Sequence, residues 1–393
     1  MLEGQFLETP IWGLPIVIYP FLSGLMAGAF VIDSLSHLFG FKKFDPVAKL
    51  AATVSFAMVL LAAFAPLVDA LQPSRAVWEL YVRDHFPYSP LGVFIVIWTL
   101  YVILMLFEMY FDYRVDIVER SKQGGLRGAI SKFLTFGRLE VSQESIKKDK
   151  KALFIISAIG VPLAFAFHGY IGFVFGAIKA RALWTSSVMM LMFITSAIVS
   201  GAATVIFFYI IGYSFYSKKN KVNLETLNAL GIFTIFAILL DLFLDVVEKL
   251  YSVRAYTGAE EFHGWELVYN WGGALSVNYH IYQILIGLIV PLVFLLFKKV
   301  RQSKFLMLII AILINFGVWE MRYNTVIGGQ LLPKISQGTI IFHAPWLDFD
   351  GILSGIGLFC LGLVLFFVLS WLFGWEDNPK AQSLYTLDSN ENK

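Results

Sequence analysis

The chain has 393 residues, of which 58% are hydrophobic and only 15% are charged, a composition too apolar for a soluble protein of this length. Its formal net charge of +2 gives no support for nucleic-acid binding. The single cysteine, Cys360, excludes a disulfide framework, a paired-cysteine metal site and a cysteine-ligated iron–sulfur cluster within this chain.

In chain order, nine apolar runs are long enough to cross a bilayer. They cover residues 12–38, 50–71, 91–111, 152–175, 183–213, 229–251, 280–297, 305–323 and 351–373. The residues before the first run are acidic and include no basic segment, which predicts no cleaved signal peptide. The predicted fold class is an all-α polytopic membrane protein with about nine transmembrane helices.

Basic residues are concentrated in alternate loops, at residues 42–49, 114–151, 218–221 and 298–304. By the positive-inside rule these loops are cytoplasmic, so the N-terminus is predicted outside and the C-terminal tail inside the cytoplasmic membrane. The two long loops on the predicted outer side, residues 252–279 and 324–350, are rich in glycine, tryptophan and tyrosine. Loops of that size on one face predict the docking of a partner.

The loop at residues 112–151 contains its own apolar pattern. Leu126, Ile130 and Phe133 recur at helical spacing among arginine and lysine residues. This pattern predicts a helix that lies on the anionic lipid of the inner leaflet, and a solvated basic connector explains it equally well.

A weak internal repeat divides the chain. Gly24 and Gly28 in the first run have the same spacing of small residues as Ser196 and Ser200 in the fifth, and the same offset places Asp69 opposite Asp241. The repeat predicts two four-helix bundles, within residues 1–176 and 177–324. Residues 325–393 then contain an outer loop, a ninth helix and the cytoplasmic tail.

The sixth run carries Asp241, Asp245 and Glu248 on one helical face. Charged groups at membrane depth are costly, so such a stripe predicts a proton or ligand path. Snorkelling of Glu248 to the surface and capping of neighbouring helices by the two aspartates would explain it without one.

With the predicted topology, most buried charged or titratable groups fall in the outer half of the membrane. These groups are Asp69, His168, Asp241, Asp245, Glu248, Glu320 and Arg322, whereas Asp33 and Glu108 lie near the inner side. A shared polar site in the outer half is the simplest explanation.

A histidine and carboxylates among aromatic residues are typical of a quinol site, where an apolar slot holds the ring and each oxygen needs a proton partner. His168 suits one oxygen and Asp69 the other. Each has a structural alternative, since His168 could serve helix packing and Asp69 could pair with Arg75. Haem is disfavoured because the six histidines offer at most one poor axial pair across helices.

Five segments together carry a resemblance that covers nearly the whole chain. They are FLSGLMAGAF at 21–30, LVDALQPSR at 67–75, YSPLGVF at 88–94, FHGYIG at 167–172 and RYNTVIGGQ at 322–330. In their order and spacing they resemble the NrfD/PsrC family of quinone-reactive membrane subunits, most closely its long branch of DsrP-, QrcD- and HybB-type members.

The resemblance implies two four-helix bundles, a bound menaquinone near the outer face, no haem and no redox metal. It also implies an extracytoplasmic ferredoxin-like iron–sulfur partner, with cytochrome b or c among further subunits. The residues implied at the quinone are His168, Asp69, Gly24, Gly28, Gln72 and Tyr170. The chain departs from short-branch members, which have a histidine in helix one and Gly-Arg-Pro after helix two.

The predicted function is thus a membrane subunit that exchanges electrons between quinone and the outer partner, with proton transfer through the carboxylates. A secondary transporter built on the parallel repeat is an alternative from another class. A purely structural membrane anchor for soluble redox subunits is a third.

Overall fold

The computed structural model describes residues 10–69, 73–75, 87–178, 181, 183–184, 186–215, 222–255, 266–332 and 339–375. Within these ranges the regular secondary structure is entirely helical. The same part of the chain contains nine helices long and apolar enough to cross a membrane. The predicted class, an all-α polytopic membrane protein, is confirmed.

The helices are numbered α1 to α12 in chain order. Nine of them span: α1 Leu14–His37, α2 Asp45–Asp69, α3 Pro90–Ser121, α5 Gln143–Gly176, α6 Met189–Phe215, α7 Leu224–Ala255, α8 Asn278–Leu295, α10 Lys304–Val326 and α12 Ile352–Phe373. Three are short connectors: α4 Gly125–Leu134, α9 Lys298–Arg301 and α11 Gly328–Leu331.

The spanning helices form two groups of four. In the first, α1 and α3 each pack against both α2 and α5. In the second, α6 packs against α7 and α10, and α10 packs against α8. The ninth spanning helix, α12, packs against α1, α2 and α3 outside both groups. Its remaining faces are apolar and exposed, as expected for contact with lipid tails.

The two bundles meet along α1 and α6, the helices that begin the two halves of the sequence repeat. Gly28 of α1 lies against the backbone of Ala197 and Gly201 of α6. Small residues let the two helix backbones approach closely. In a membrane, helices gain nothing from leaving apolar lipid, so their association depends on close packing of this kind. The glycine spacing noted in the sequence therefore acts at the interface between the bundles.

Several helices extend beyond the apolar runs that predicted them, because charged turns continue the helix where it leaves the membrane core. α3 runs on to Ser121, so the predicted loop at residues 112–151 begins ten residues too early. The extension is held by ion pairs from Arg114 to Asp149 at 2.6 Å and from Lys49 to Asp116 at 2.6 Å. Buried ion pairs of this kind keep the extended helix against its neighbours.

The connector between α3 and α5 contains the helix α4, as the apolar spacing predicted. Leu126 and Phe133 on α4 are 71% and 75% exposed, while Gly128 and Ser131 face the protein. The exposed apolar side chains lie among basic residues, an arrangement typical of a helix at a membrane surface.

In the second bundle, the backbones of α7 and α8 approach each other most closely at the last part of α8, Val290–Leu295, whereas the first part reaches α7 through the long side chain of Tyr279. The first part of α8, Asn278–Ile289, is a π-helix, whose wider turns displace side chains from regular helical positions. The two helices therefore diverge toward the end of the bundle that is predicted to face outward. The gap between them is where the carboxylates of α7 lie.

The α1–α6 contact generates a test of the bundle interface. In Gly28→Val, the new Cβ would lie within 2.8 Å of the Gly201 Cα. We expect the clash to cost about 1–3 kcal/mol or more and to lower the apparent Tm of the detergent-purified protein. The matched control is Gly357→Val on α12, where a Cβ meets nothing within 4 Å. Equal melting temperatures for the two variants would contradict the interface.

Candidate functional site

His168 lies at the centre of a hydrogen-bonded cluster between the two bundles. The α5 segment that carries it places the imidazole, fully buried, beside Ser23 of α1 and Arg322 of α10. The Nε2 atom is 3.0 Å from Arg322 Nη2, and the Nδ1 atom is 3.1 Å from Ser23 Oγ. Arginine can only donate, so Nε2 accepts and Nδ1 carries the hydrogen. The contact thus fixes a neutral imidazole in one tautomer.

Arg322 is a fully buried cation held by several helices. Its Nη2 donates to Ser196 Oγ at 2.7 Å, and the guanidinium lies 4.0 Å from the centre of the Phe193 ring. Asp241 of α7 lines the same small cavity as Ser196, which places its carboxylate near the guanidinium. A buried charge costs several kcal/mol unless it is paired and hydrogen-bonded, so these contacts offset part of that cost, although Nε has no partner among the described residues.

Each carboxylate of the predicted α7 stripe accepts a hydrogen bond inside the protein. Thr195 Oγ1 of α6 donates to Asp241 at 2.7 Å, and Ser186 Oγ donates to Glu248 at 2.7 Å. The Tyr279 hydroxyl of α8 donates to Asp245. Asp245 and Glu248 are buried, and Asp241 is half-buried. The stripe therefore faces the bundle interior, and Glu248 does not snorkel to the surface.

The divergence of α7 and α8 leaves a cavity of about 50 Å³ beside this stripe. Its polar lining comprises Asp245, Glu248, Tyr279, Gln283, Asn324 and Thr325. A smaller cavity of about 10 Å³ continues toward Ser196 and Asp241. The larger one is roomy and polar enough to hold hydrogen-bonded water, which needs about 10–15 Å³ for each molecule. The stripe thus faces a polar cavity within the second bundle that has room for water.

Asp69 lies apart from this cluster, at the end of α2. Its Oδ1 accepts a hydrogen bond from the Gly13 backbone N–H at 3.1 Å, and its side chain is half-buried. Among the described residues no ion pair joins Asp69 to Arg75, which is exposed. The alternative in which Asp69 serves only as a partner for that arginine has no support in the described contacts.

Aromatic side chains line the region between α1, α3 and α5 at the same end of the molecule. The rings of Tyr19 and Phe94 meet edge to face at 5.2 Å, and Phe94 stacks on Phe167 at 5.2 Å. The Tyr170 hydroxyl donates to the Pro90 carbonyl at 3.0 Å. Tyr19 is one helical turn from Ser23, so these aromatic residues lie immediately beside the His168 cluster.

The two predicted glycines have different positions. A Cβ at Gly24 would lie 3.3 Å from His168 Cε1, so this glycine makes room for the imidazole. Gly28 belongs to the contact between α1 and α6, away from the imidazole. The predicted cofactor-binding residue Gln72 lies outside the described residues. Of the predicted site residues, His168, Gly24 and Asp241 are thus brought into one cluster, while Asp69 and Tyr170 lie beside the aromatic region.

The VIGGQ segment, residues 326–330, binds the residues just before α1 at the end of the molecule where Asp69 lies. Gln330 Oε1 accepts hydrogen bonds from the Ile11 and Trp12 N–H groups, both at 2.9 Å. Trp12 stacks on Trp184 at 5.3 Å, and Gly329 provides the space beneath the Trp184 indole. The segment thus closes the end of the bundle interface next to Asp69.

The sequence placed Arg322 in the outer half without a role, and it gave no role at the site to the hydroxyl residues that bond to Arg322, His168 and the α7 carboxylates. These residues, Ser23, Ser196, Thr195 and Tyr279, are uncharged and lie within apolar helices. Their only signal is a hydroxyl at membrane depth, which is common in membrane helices because it can bond to the helix backbone. Their roles follow from helix pairing, which the spacing within one helix does not reveal.

The cluster predicts energetic coupling between His168 and Arg322. We expect His168→Phe and Arg322→Met each to lower the apparent Tm in detergent. In the double variant, the loss in the free energy of unfolding should be smaller than the sum of the two single losses by about 0.5–3 kcal/mol. The control pairs His168→Phe with Arg301→Met, an arginine bound to Asn228 instead. Additive losses in the first pair would mean that the two side chains do not depend on each other.

The comparisons with known proteins agree on one family. The family model described as "Polysulphide reductase, NrfD" matches residues 5–334. The selenate reductase C subunit of Mesobacillus selenatarsenatis is 28% identical over 82% of this chain and 74% of its own length. A membrane protein of Halobacterium salinarum, named as a putative C subunit of dimethyl sulfoxide reductase, is 25% identical over 78% and 66%, respectively.

A third relative, the tetrathionate reductase C subunit of Archaeoglobus fulgidus, is 23% identical over 96% of both chains. The three relatives are all named as C subunits of reductases, although the reductases differ in their substrates. The family model itself covers 330 of the 393 residues, from residue 5 to residue 334. The chain belongs to the NrfD family of polytopic membrane proteins.

Proposed function

We propose that this chain is the quinone-reactive membrane subunit of a reductase-type redox complex. It exchanges electrons between menaquinone, near the predicted outer face, and an extracytoplasmic iron–sulfur subunit. The observation that carries the proposal is the buried His168–Arg322 cluster, which lies between the aromatic region near Asp69 and the carboxylates of α7. Membership of the family supports the same assignment.

The proposed ring site lies between α1, α3 and α5, with Asp69 above and His168 below. Tyr19 and Phe94 are chemically suited to a quinone because they are aromatic. Their rings meet edge to face at 5.2 Å, so a quinone ring would pack beside them and not between them. Asp69 adds a carboxylate whose Oδ2 receives no hydrogen bond from the described residues. A bound quinone supplies a couple of two electrons and two protons. In this proposal Asp69 holds the proton exchanged at one oxygen, and His168 orients the other oxygen through Ser23.

Arg322 and the α7 stripe form the proton-exchange side of the proposal. The guanidinium keeps His168 neutral and attracts the Asp241 carboxylate. Asp245 and Glu248 then extend from Asp241 toward the outer surface beside the 50 Å³ cavity. Carboxylates one helical turn apart are too distant for direct proton transfer, but one water can bridge them. The stripe therefore serves proton exchange with the outer side.

The alternatives from other classes have less support. For a secondary transporter the support is the parallel repeat and the buried carboxylates, and the redox proposal explains the carboxylates as well. A purely structural anchor would have no reason to bury Arg322, His168 and three carboxylates, since such groups are costly in a membrane. The relatives are named as subunits of reductases, which supports a role in electron transfer.

The proposed docking surface for the iron–sulfur partner is the loop before α12. Trp346, Leu347 and Phe349 are 71%, 84% and 80% exposed at the end of the molecule where Asp350 contacts Leu14. Large apolar side chains that protrude beyond a membrane helix into the aqueous side favour contact with another protein. This loop lies at the same end as Asp69, so a docked cluster would be on the side of the proposed quinone.

The quinone assignment predicts the effect of two substitutions on the purified complex. Asp69→Asn keeps the shape of the side chain and removes its titrating group, and His168→Phe removes the imidazole. We expect each to reduce electron transfer from a water-soluble menaquinol analogue by about 10²-fold, the usual contribution of a positioned proton partner. Electron transfer from an artificial donor directly to the iron–sulfur partner should be unchanged.

The control is Glu140→Gln, an exposed carboxylate in the connector after α4, away from both the proposed ring site and the proposed docking surface. It should leave quinol oxidation unaltered. Wild-type turnover in Asp69→Asn at every pH tested would make that residue structural, and wild-type turnover in His168→Phe would remove the imidazole from the site.

Docking is tested by replacing Trp346, Leu347 and Phe349 together by serine. We expect the iron–sulfur partner to be lost from the affinity-purified complex, because the contact loses its apolar anchors. The membrane subunit itself should still elute as a folded monodisperse species. Replacement of Leu126 and Phe133 by serine on α4, at the opposite end, is the control. Wild-type partner stoichiometry in the triple variant would place docking elsewhere.

A further inference from the structure

A second buried cluster lies at the end of the molecule that is predicted to face the cytoplasm. Asp33 and His37, one turn apart on α1, meet Asp112 of α3. The His37 Nε2 atom is 3.3 Å from Asp33 Oδ1 and 3.8 Å from Asp112 Oδ1. Glu108, one turn before Asp112, is adjacent to Asp33. Three metal-ligating side chains from two helices thus converge in one place, with Glu108 beside them, at the opposite end of the molecule from the His168 cluster.

Two carboxylates of this cluster, Asp33 and Glu108, lack aligned hydrogen-bond donors among the described residues, and the His37 imidazole is the nearest group that can carry a positive charge. Asp33 and Glu108 are completely buried, and all four of their oxygens are without a hydrogen-bond donor among the described residues. His37 Nε2 is near Asp33, but the two atoms are not aligned as a hydrogen bond. Lys49 is directed to Asp116, whose Oδ2 is 2.6 Å away. Buried carboxylates with open lone pairs require a positive species between them.

The spacing of the ligand atoms fits a small cation. First-row transition ions bind carboxylate oxygen and imidazole nitrogen at about 2.0–2.2 Å, so two ligands of one ion lie at most about 4.4 Å apart. The two distances from His37 Nε2, 3.3 and 3.8 Å, are within that limit. The three ligand atoms from Asp33, His37 and Asp112 all lie within 4.8 Å of one another. A shift of a few tenths of an ångström would complete the arrangement.

We propose that Asp33, His37, Glu108 and Asp112 bind one divalent transition-metal ion that joins α1 to α3. A mixed set of carboxylates and one imidazole suits Mn²⁺, Fe²⁺ or Zn²⁺, whereas Mg²⁺ and Ca²⁺ are bound by oxygen atoms alone. The His37 side chain is 18% exposed and lies at the end of α1, which gives the ion a way in from the aqueous side. The ion neutralises the buried carboxylates and takes no part in electron transfer.

The test uses the complete purified protein in detergent, first stripped with EDTA and then titrated with Mn²⁺. We expect one Mn²⁺ per chain, read as loss of the free-ion EPR signal, and competition by Zn²⁺. Asp33→Asn and Asp112→Asn should each weaken Mn²⁺ binding at least tenfold. The control is Glu119→Gln, which lies on α3 like Asp112 but pairs with Lys122 outside the cluster. This variant should bind Mn²⁺ as the wild type does.

The wild-type titration decides the proposal even if a variant fails to fold. Absence of stoichiometric Mn²⁺ and Zn²⁺ binding to the folded wild-type protein would overturn it and leave protons as the occupants of the cluster. Unchanged binding in folded Asp33→Asn and Asp112→Asn would overturn it as well, because the ion would then lie elsewhere. The proposal would be supported if Asp33→Asn no longer bound Mn²⁺ and had the same Tm as the metal-free wild-type protein.

Discussion

The rest of the structure depends on the burial of one guanidinium. Arg322 enters a region where an uncompensated charge costs several kcal/mol, and its partners come from α5, α6 and α7. No single helix can supply them. The bond from Arg322 to His168 crosses from the second bundle to the first, so separating the bundles would remove one partner of the cation and leave the His168 Nε2 atom without its donor. Close packing of Gly28 against Gly201 makes that contact geometrically available.

The same constraint determines where α7 points its carboxylates. Once Asp241 faces Arg322 and Thr195, helical spacing directs Asp245 and Glu248 to the same side, away from lipid. Three polar groups on one face need hydroxyl partners, which α8 supplies through Tyr279 and the segment before α6 supplies through Ser186. The π-helical start of α8 holds the helices apart there, so the polar face has room for water. Packing and hydration thus follow from one buried charge.

The number of spanning helices and the inward stripe of α7 could be predicted from the sequence, since both depend on periodicity within one segment. Gly28, one of the two glycines whose spacing suggested the repeat, lies in the contact between α1 and α6, against Gly201. Pairings such as Asp245 with Tyr279 could not be predicted, because residues 34 positions apart meet only through tertiary packing. The cluster around Asp33 was missed for another reason: Asp112 was assigned to a loop, whereas α3 continues past it.

Polar groups are therefore gathered at both ends of the molecule, and the region between them bears on proton movement across the membrane. Ser200 and Thr204 of α6 carry hydroxyls that are candidates for a link between Glu108 and Asp241. The Ser200 hydroxyl donates to the Ser196 carbonyl of its own helix at 2.9 Å, and the Thr204 hydroxyl donates to Asn315 Oδ1 at 3.1 Å. Each would have to give up a bond worth about 0.5–1.5 kcal/mol before it could relay a proton. These bonds oppose a hydroxyl relay through Ser200 and Thr204. In the proposed function, the α7 stripe therefore exchanges protons on the side where its own cavity lies.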